Sequence, residues 1–96
     1  MAENEKIMTL HPQGKQGTRI DLKKCEQIKS AILTTLNEFN EATLNDLVAS
    51  AEEILRGSFD GKVVWYVVTV KLDLEARKVI ERIPKTSPHR VKRTDI

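Results

Sequence analysis

The chain has little of most things that would commit it to a chemistry. A single cysteine, Cys25, stands among 96 residues, so no internal disulfide can form and no cysteine-rich zinc site can be built. The two histidines, His11 and His89, are isolated and lack metal-ligand spacing. Aromatic residues make up only 4% of the chain. No apolar run approaches the roughly 18 residues that a membrane span needs, and the first residues lack the apolar core of a signal peptide. The stretch Gly14-Lys15-Gln16-Gly17-Thr18 has neither the spacing nor the strand-to-helix setting of a phosphate loop. These absences point to a small cytoplasmic protein with no cofactor, no small-molecule ligand, no metal and no enzymatic activity.

What is present suffices for one folded domain. Hydrophobic residues are 40% of the chain and charged residues 31%, which disfavours general disorder and allows a single core. The net charge of +2 hides an uneven distribution. Residues 37–76 carry Glu38, Glu41, Asp46, Glu52, Glu53, Asp60, Asp73 and Glu75 against Arg56, Lys62 and Lys71, a net of −5. Residues 77–96 carry Arg77, Lys78, Arg82, Lys85, Arg90, Lys92 and Arg93 against Glu81 and Asp95, a net of +5. An acidic middle and a basic end say more about partners than the total does.

Residues 1–21 are poorly periodic and read as an arm with a short strand at each end and a Pro/Gly loop between. A first helix is predicted from about Leu22 to Leu36. Asp21 is its cap, and Cys25, Ile28, Ile32 and Leu36 lie on one face. Asn37 to Asn40 read as a connection, with Phe39 plugging the core. A second helix starts at Thr43, with Asp46 placed for a capping box and Gly57 supplying the left-handed exit. Its stripe is Leu44, Leu47, Val48, Ala51 and Leu55. From Lys62 to Arg77 the signals conflict. Val63 to Val70 is rich in β-branched and aromatic residues, which suit a strand. Val63, Val67, Val70 and Leu74, however, follow helical spacing and good helix formers complete the segment. A third helix is therefore expected, with Asp60-Gly61 as cap and first turn. Val79 to Ile83 and His89 to Thr94 read as two strands of a hairpin broken by Pro84 to Pro88.

The order helix, helix, helix, hairpin resembles the winged helix-turn-helix fold. The stretch Val67-x-x-Val70-x-x-x-Leu74-Glu75-Ala76-Arg77-Lys78-Val79-Ile80-Glu81-Arg82 looks like the end of a recognition helix passing into a wing strand. Families of that kind often have Gly where Lys78 stands, and a lysine there bears a modest steric cost. More closely, the chain resembles a bacterial family of small proteins of unknown function. The resemblance rests on Phe59-Asp60-Gly61, Trp65-Tyr66, Val70 through Arg77 and Ile80-Glu81-Arg82. Leu10-His11-Pro12-x-Gly14 and Arg19-Ile20 match its start. It implies an α+β, mainly α domain over residues 22–96, a three-helix winged helix-turn-helix-like unit with a C-terminal β-hairpin wing, preceded by the arm of residues 1–21.

That fold suggests two functions. As a DNA-binding, transcription-regulatory module, the domain would grip duplex DNA through the basic hairpin. Arg82, Lys85, Arg90, Lys92 and Arg93 would neutralise phosphates, with Lys71 and Thr69 as weaker groove contacts. Base readout by the third helix is disfavoured, because Trp65, Val68, Leu72 and Ala76 line its outer face where polar side chains are needed. A helix apolar on both sides is normally buried on both sides. The cover would be the arm with Ile7, Met8 and Leu10, a second copy of the chain, or another protein, the arm being slightly favoured. The rival function is therefore a protein-interaction module that uses Trp65, Val68 and Leu72. Cys25 reads as a buried core thiol, and Asp46, Glu52 and Glu53 as a solvated face rather than an acid/base pair.

Overall fold

The computed structural model describes residues 5–15 and 17–94. Among them, three helices and two small antiparallel sheets enclose one core. The arm is a short hairpin in which β1 (Lys6–Met8) pairs with β2 (Arg19–Asp21), Ile7 opposite Ile20. Beyond this ladder, the N–H and hydroxyl of Thr9 both donate to the Thr18 carbonyl, at 2.9 and 2.8 Å. Gly17 is required beside them, since a Cβ there would overlap the Thr9 carbonyl oxygen.

Helix α1 (Leu22–Phe39) begins where the Asp21 carboxylate accepts the Lys24 N–H at 3.1 Å. It runs three residues past the predicted end. Asn40 stops it with φ 70, a left-handed conformation that asparagine tolerates better than most residues. The predicted plug at Phe39 is therefore corrected: it lies one turn beyond the last buried position, Leu36, and is 59% exposed. The connection then contains a strand that the sequence reading missed, β3 (Glu41–Thr43).

Thr43 ends β3 and caps α2 (Leu44–Ile54) in the expected capping box. Its hydroxyl accepts the Asp46 N–H and the Asp46 carboxylate accepts the Thr43 N–H, each at 3.1 Å. That backbone N–H, helped by the hydroxyl, holds the Asp46 carboxyl below its ordinary value. A carboxylate lowered in this way stabilises the fold above its unfolded pKa, and the contribution is lost as pH falls through the folded value.

Helix α3 (Val63–Ala76) forms despite its β-branched run, and Val67, Val70 and Leu74 are almost fully buried. Its start differs from expectation. Lys62 occupies the cap position without a side-chain bond, and Asp60 does not cap it. Gly61, at φ 144, instead lets the chain pass under the Tyr66 ring, which a Cβ would meet at 3.0 Å. The exit is a Schellman motif. The Val79 N–H donates to the Leu74 carbonyl at 2.9 Å and the Lys78 N–H to the Glu75 carbonyl at 3.1 Å, with Lys78 at φ 65.

Strands β4 (Ile80–Ile83) and β5 (Arg90–Arg93) pair antiparallel, and β5 also pairs with β3, giving the order β3-β5-β4. The expected C-terminal wing is thus corrected to part of a three-stranded sheet whose third strand comes from between α1 and α2. Ile80 and Val91 turn inward and bury fully. Thr86 organises the hairpin loop: its hydroxyl donates to the Ile83 carbonyl at 2.9 Å and accepts the Arg90 N–H at 3.0 Å.

Lys78 holds a conformation that costs an L-residue roughly 1–2 kcal/mol and glycine almost nothing. After the entropy that glycine adds to the unfolded chain, Lys78→Gly is expected to raise stability by about 0.5–1 kcal/mol in urea unfolding. An unchanged or lower midpoint would show that this helix exit carries no strain.

Candidate functional site

Two surfaces gather the residues singled out from the sequence. The first is the hairpin. Arg82, Arg90, Lys92 and Arg93 project from β4 and β5, and Lys85 sits in the loop at φ 65. Most of these cations face acceptors within the protein. Arg82 Nε lies 3.5 Å from Glu75, Arg90 Nε 3.7 Å from Glu41, and Lys92 Nζ 3.8 Å from Glu81. Arg93 donates to the Asn37 side-chain oxygen at 2.8 Å. Exposed pairs at such distances contribute about 0–1 kcal/mol, so phosphate could displace them, but each displacement offsets part of the gain.

The groove contacts assigned to α3 fare differently. Lys71 is buried, and its ammonium sits 2.5 Å from Glu75, both side chains being 10% exposed or less. Lys71 is turned into the protein, away from any groove. Thr69 is half-buried. Glu75 thus receives Lys71 from its own helix and Arg82 from β4, tying helix to sheet.

The second surface is the outer face of α3. Trp65 is 45% exposed, and Val68 and Leu72 are half-buried beside it. Sequence reasoning missed Val64, which is 52% exposed and lies one turn before Val68 on the same face. Its spacing could have shown this, since Val64, Val68 and Leu72 follow i, i+4, i+8. Trp65 stands edge-on to Tyr66, centroids 4.9 Å apart at 82°, and Tyr66 edge-on to Phe59 at 5.2 Å and 79°. Lys24 Nζ lies over Tyr66 at 5.7 Å. Packing therefore fixes the orientation in which Trp65 meets solvent.

The arm reaches only the other end of this helix. Asp73, 3% exposed, accepts the Leu10 N–H at 2.8 Å and the Arg77 Nε at 2.9 Å. Arg77 also donates to the Met8 carbonyl at 3.4 Å. Ile7 packs against the core, but Met8 and Leu10 remain 45% and 44% exposed, and Trp65 is left in solvent. The favoured cover of the α3 face by the arm is thus corrected: the arm seats beside Ala76 and leaves the first half of the helix open.

Among the described residues no three His, Cys, Asp or Glu side chains gather as a metal centre. No described helix is long and apolar enough to cross a membrane. The profile of a family of unknown function, DUF6958, matches residues 6–91. The chain belongs to this family. No curated protein and no solved structure matches it. The DUF6958 match takes in the arm, all three helices and most of the second sheet.

Cys25 of this DUF6958 chain lies in the core, and burial, aided by the nearby Asp73 charge, pushes its thiol pKa up. The thiolate is the reactive species. Alkylation by iodoacetamide at neutral pH is expected to be negligible in the folded protein and rapid in urea. Fast labelling of the folded chain would show that α1 does not seal the thiol from solvent.

Proposed function

We propose that this is a non-catalytic protein-interaction module of the bacterial cytoplasm, built on a winged-helix-like scaffold, which docks a second copy of itself through the outer face of α3. The observation that carries it is the exposure of Val64 and Trp65 on a side of α3 whose charged residues, Lys71 and Glu75, are poorly exposed and paired with each other. The order α1, α2, α3, then the β4–β5 hairpin is that of winged helix-turn-helix domains and supports the scaffold. A cytoplasmic setting suits the free thiol of Cys25. The face that would read DNA in such a scaffold is apolar here, which favours protein over bases. With Lys71 and Glu75 paired to each other, the face offers no unpaired charge to repel its own copy, so a two-fold pairing can bring like to like. Trp65 is suited to anchor it, being large, already oriented and partly desolvated.

Sedimentation across a concentration series is expected to show a monomer–dimer equilibrium, with Trp65 emission shifting to the blue as dimer forms. Trp65→Ala should cost roughly 2 kcal/mol or more of association while leaving helix content unchanged. A monomer with solvent-quenched Trp65 at every concentration would remove the self-docking.

The hairpin favours a second function, duplex DNA binding, on one observation: among the described residues no carboxylate lies within ion-pair distance of Lys85 in the loop, or of Lys78 at the α3 exit. If the hairpin neutralises phosphates, binding to mixed-sequence duplex falls steeply with salt. Replacing Arg90, Lys92 and Arg93 by Ala then removes most of the affinity. Absence of binding at low salt excludes this function and leaves the α3 interface untouched.

A further inference from the structure

A groove of about 1220 Å³ runs between the end of α1, β3 and α2, away from the outer face of α3 and sharing Arg90 with the hairpin surface. It is open because small residues, Ala42, Ala49 and Ser50, form its wall where larger ones would fill it. The Thr35 hydroxyl donates to the Ala31 carbonyl at 2.8 Å and meets the Ser50 hydroxyl at 2.7 Å, tying α1 to α2 beneath it. Two large apolar side chains stand in this groove unburied, Phe39 at 59% and Ile54 at 47% exposure. They are half of the described large hydrophobic side chains outside α3 that remain exposed, the others being Met8 and Leu10 of the arm. Around them stand four carboxylates, Glu38, Glu41, Asp46 and Glu53, and one cation, Arg90.

Arg90 is loosely held by Glu41 at 3.7 Å, and Arg56, outside the groove, pairs with Glu53 at 2.8 Å on a highly exposed surface. Even with both cations counted, the rim stays net negative. Asp46 remains ionised, because the Thr43 N–H lowers its pKa. An occupant that covers Phe39 and Ile54 must bring apolar groups to them and cationic groups to the rim. Nucleic acid brings the wrong sign. A neutral small molecule leaves the carboxylate rim unanswered. A peptide segment with one apolar and one basic face meets both demands, and grooves beside helices take such segments by their apolar anchors.

We infer that the α1–β3–α2 groove, with Phe39 and Ile54 as floor and Glu38, Glu41, Asp46 and Glu53 as rim, is a docking site for a cationic amphipathic segment of another protein. This site is independent of the α3 face, so the module would hold two protein surfaces at once.

The test uses the full chain and a fluorescein-labelled amphipathic peptide with leucines on one face and lysines on the other. Binding is read by anisotropy and mapped by amide chemical shifts. The lysine peptide is expected to bind, with shifts gathered at Phe39, Ala42 and Ile54, and its glutamate counterpart is expected not to. The double variant Phe39→Ser/Glu38→Lys alters two exposed positions, so the fold survives, and should weaken binding at least about tenfold, or 1.4 kcal/mol. Trp65→Ala should leave peptide affinity unchanged, which separates this site from the α3 interface. Equal binding of both peptides, or an undiminished affinity in the double variant, overturns the inference. So does a dimer that Phe39→Ser dissociates, because the groove would then be occupied by a second copy of the chain.

Discussion

Val67, Val70 and Leu74 leave water almost completely, and the other elements take their places from that burial. The three residues are spaced so that a helix puts them on one side, against α1 and α2. In an extended chain Val67 and Val70 would face opposite sides, and one of them would lose the core. Burying such side chains contributes about 1.5–3 kcal/mol each. The poor helix propensity of the valines and threonine costs up to about 0.7 kcal/mol per residue. Burial of the three outweighs that cost, and the segment coils.

The coil then determines what else is possible. Because α3 is apolar on its outer face as well, its few polar side chains must serve as fasteners. Asp73 receives the arm through the Leu10 N–H, and Glu75 receives the sheet through Arg82. Each carboxylate is also met by a cation one turn along or back on its own helix, Arg77 and Lys71 respectively. Breaking either pair would strand a poorly solvated charge, a far larger loss than the pair contributes when intact. The two ends of the domain, arm and hairpin, are thus referred to one helix, and the outer face near Trp65 is what neither of them covers.

Much of this was legible in the sequence, and the misses share a cause. Helices α1 and α2 follow from the spacing of Ile28, Ile32 and Leu36 and of Leu47 and Ala51, because each has one wet and one dry side. The Thr43–Asp46 capping box was readable from local chemistry, and the left-handed Lys78 from the resemblance to families that have glycine there. What escaped depends on partners distant in sequence. Strand β3 is three residues long, too short to show alternation, and exists because β5 arrives beside it. Phe39 reads as core by residue type, but the extra turn of α1 carries it past Leu36. Ile54 lies outside the stripe of Leu44, Leu47, Val48, Ala51 and Leu55 and, as the last residue of α2, stays exposed. The charge of Lys71 marked it as a surface group, but the Glu75 carboxylate made an interior position tolerable. On the candidate surfaces, residue identity was visible early; whether a side chain was open or occupied was not.

Charge shows the same dependence on the fold. Along the chain, a net of −5 over residues 37–76 is followed by +5 over residues 77–96. In the folded protein the basic end lies back across acidic groups: Arg77 on Asp73, Arg82 on Glu75, Arg90 on Glu41, and Lys92 on Glu81 of the neighbouring strand. Folding therefore cancels much of the positive field that the linear sequence advertises. On the acidic side, Glu38, Glu52 and Asp60 meet no cation at ion-pair distance among the described residues, and the Asp46 carboxylate is engaged by a neutral N–H. A basic end largely tied into ion pairs, with apolar side chains left in solvent nearby, is better matched to protein than to phosphate. At the groove Glu38 and Asp46 keep charge that no cation among the described residues answers, whereas at the hairpin Arg82, Arg90 and Lys92 are already engaged and Lys85 is left to meet a partner.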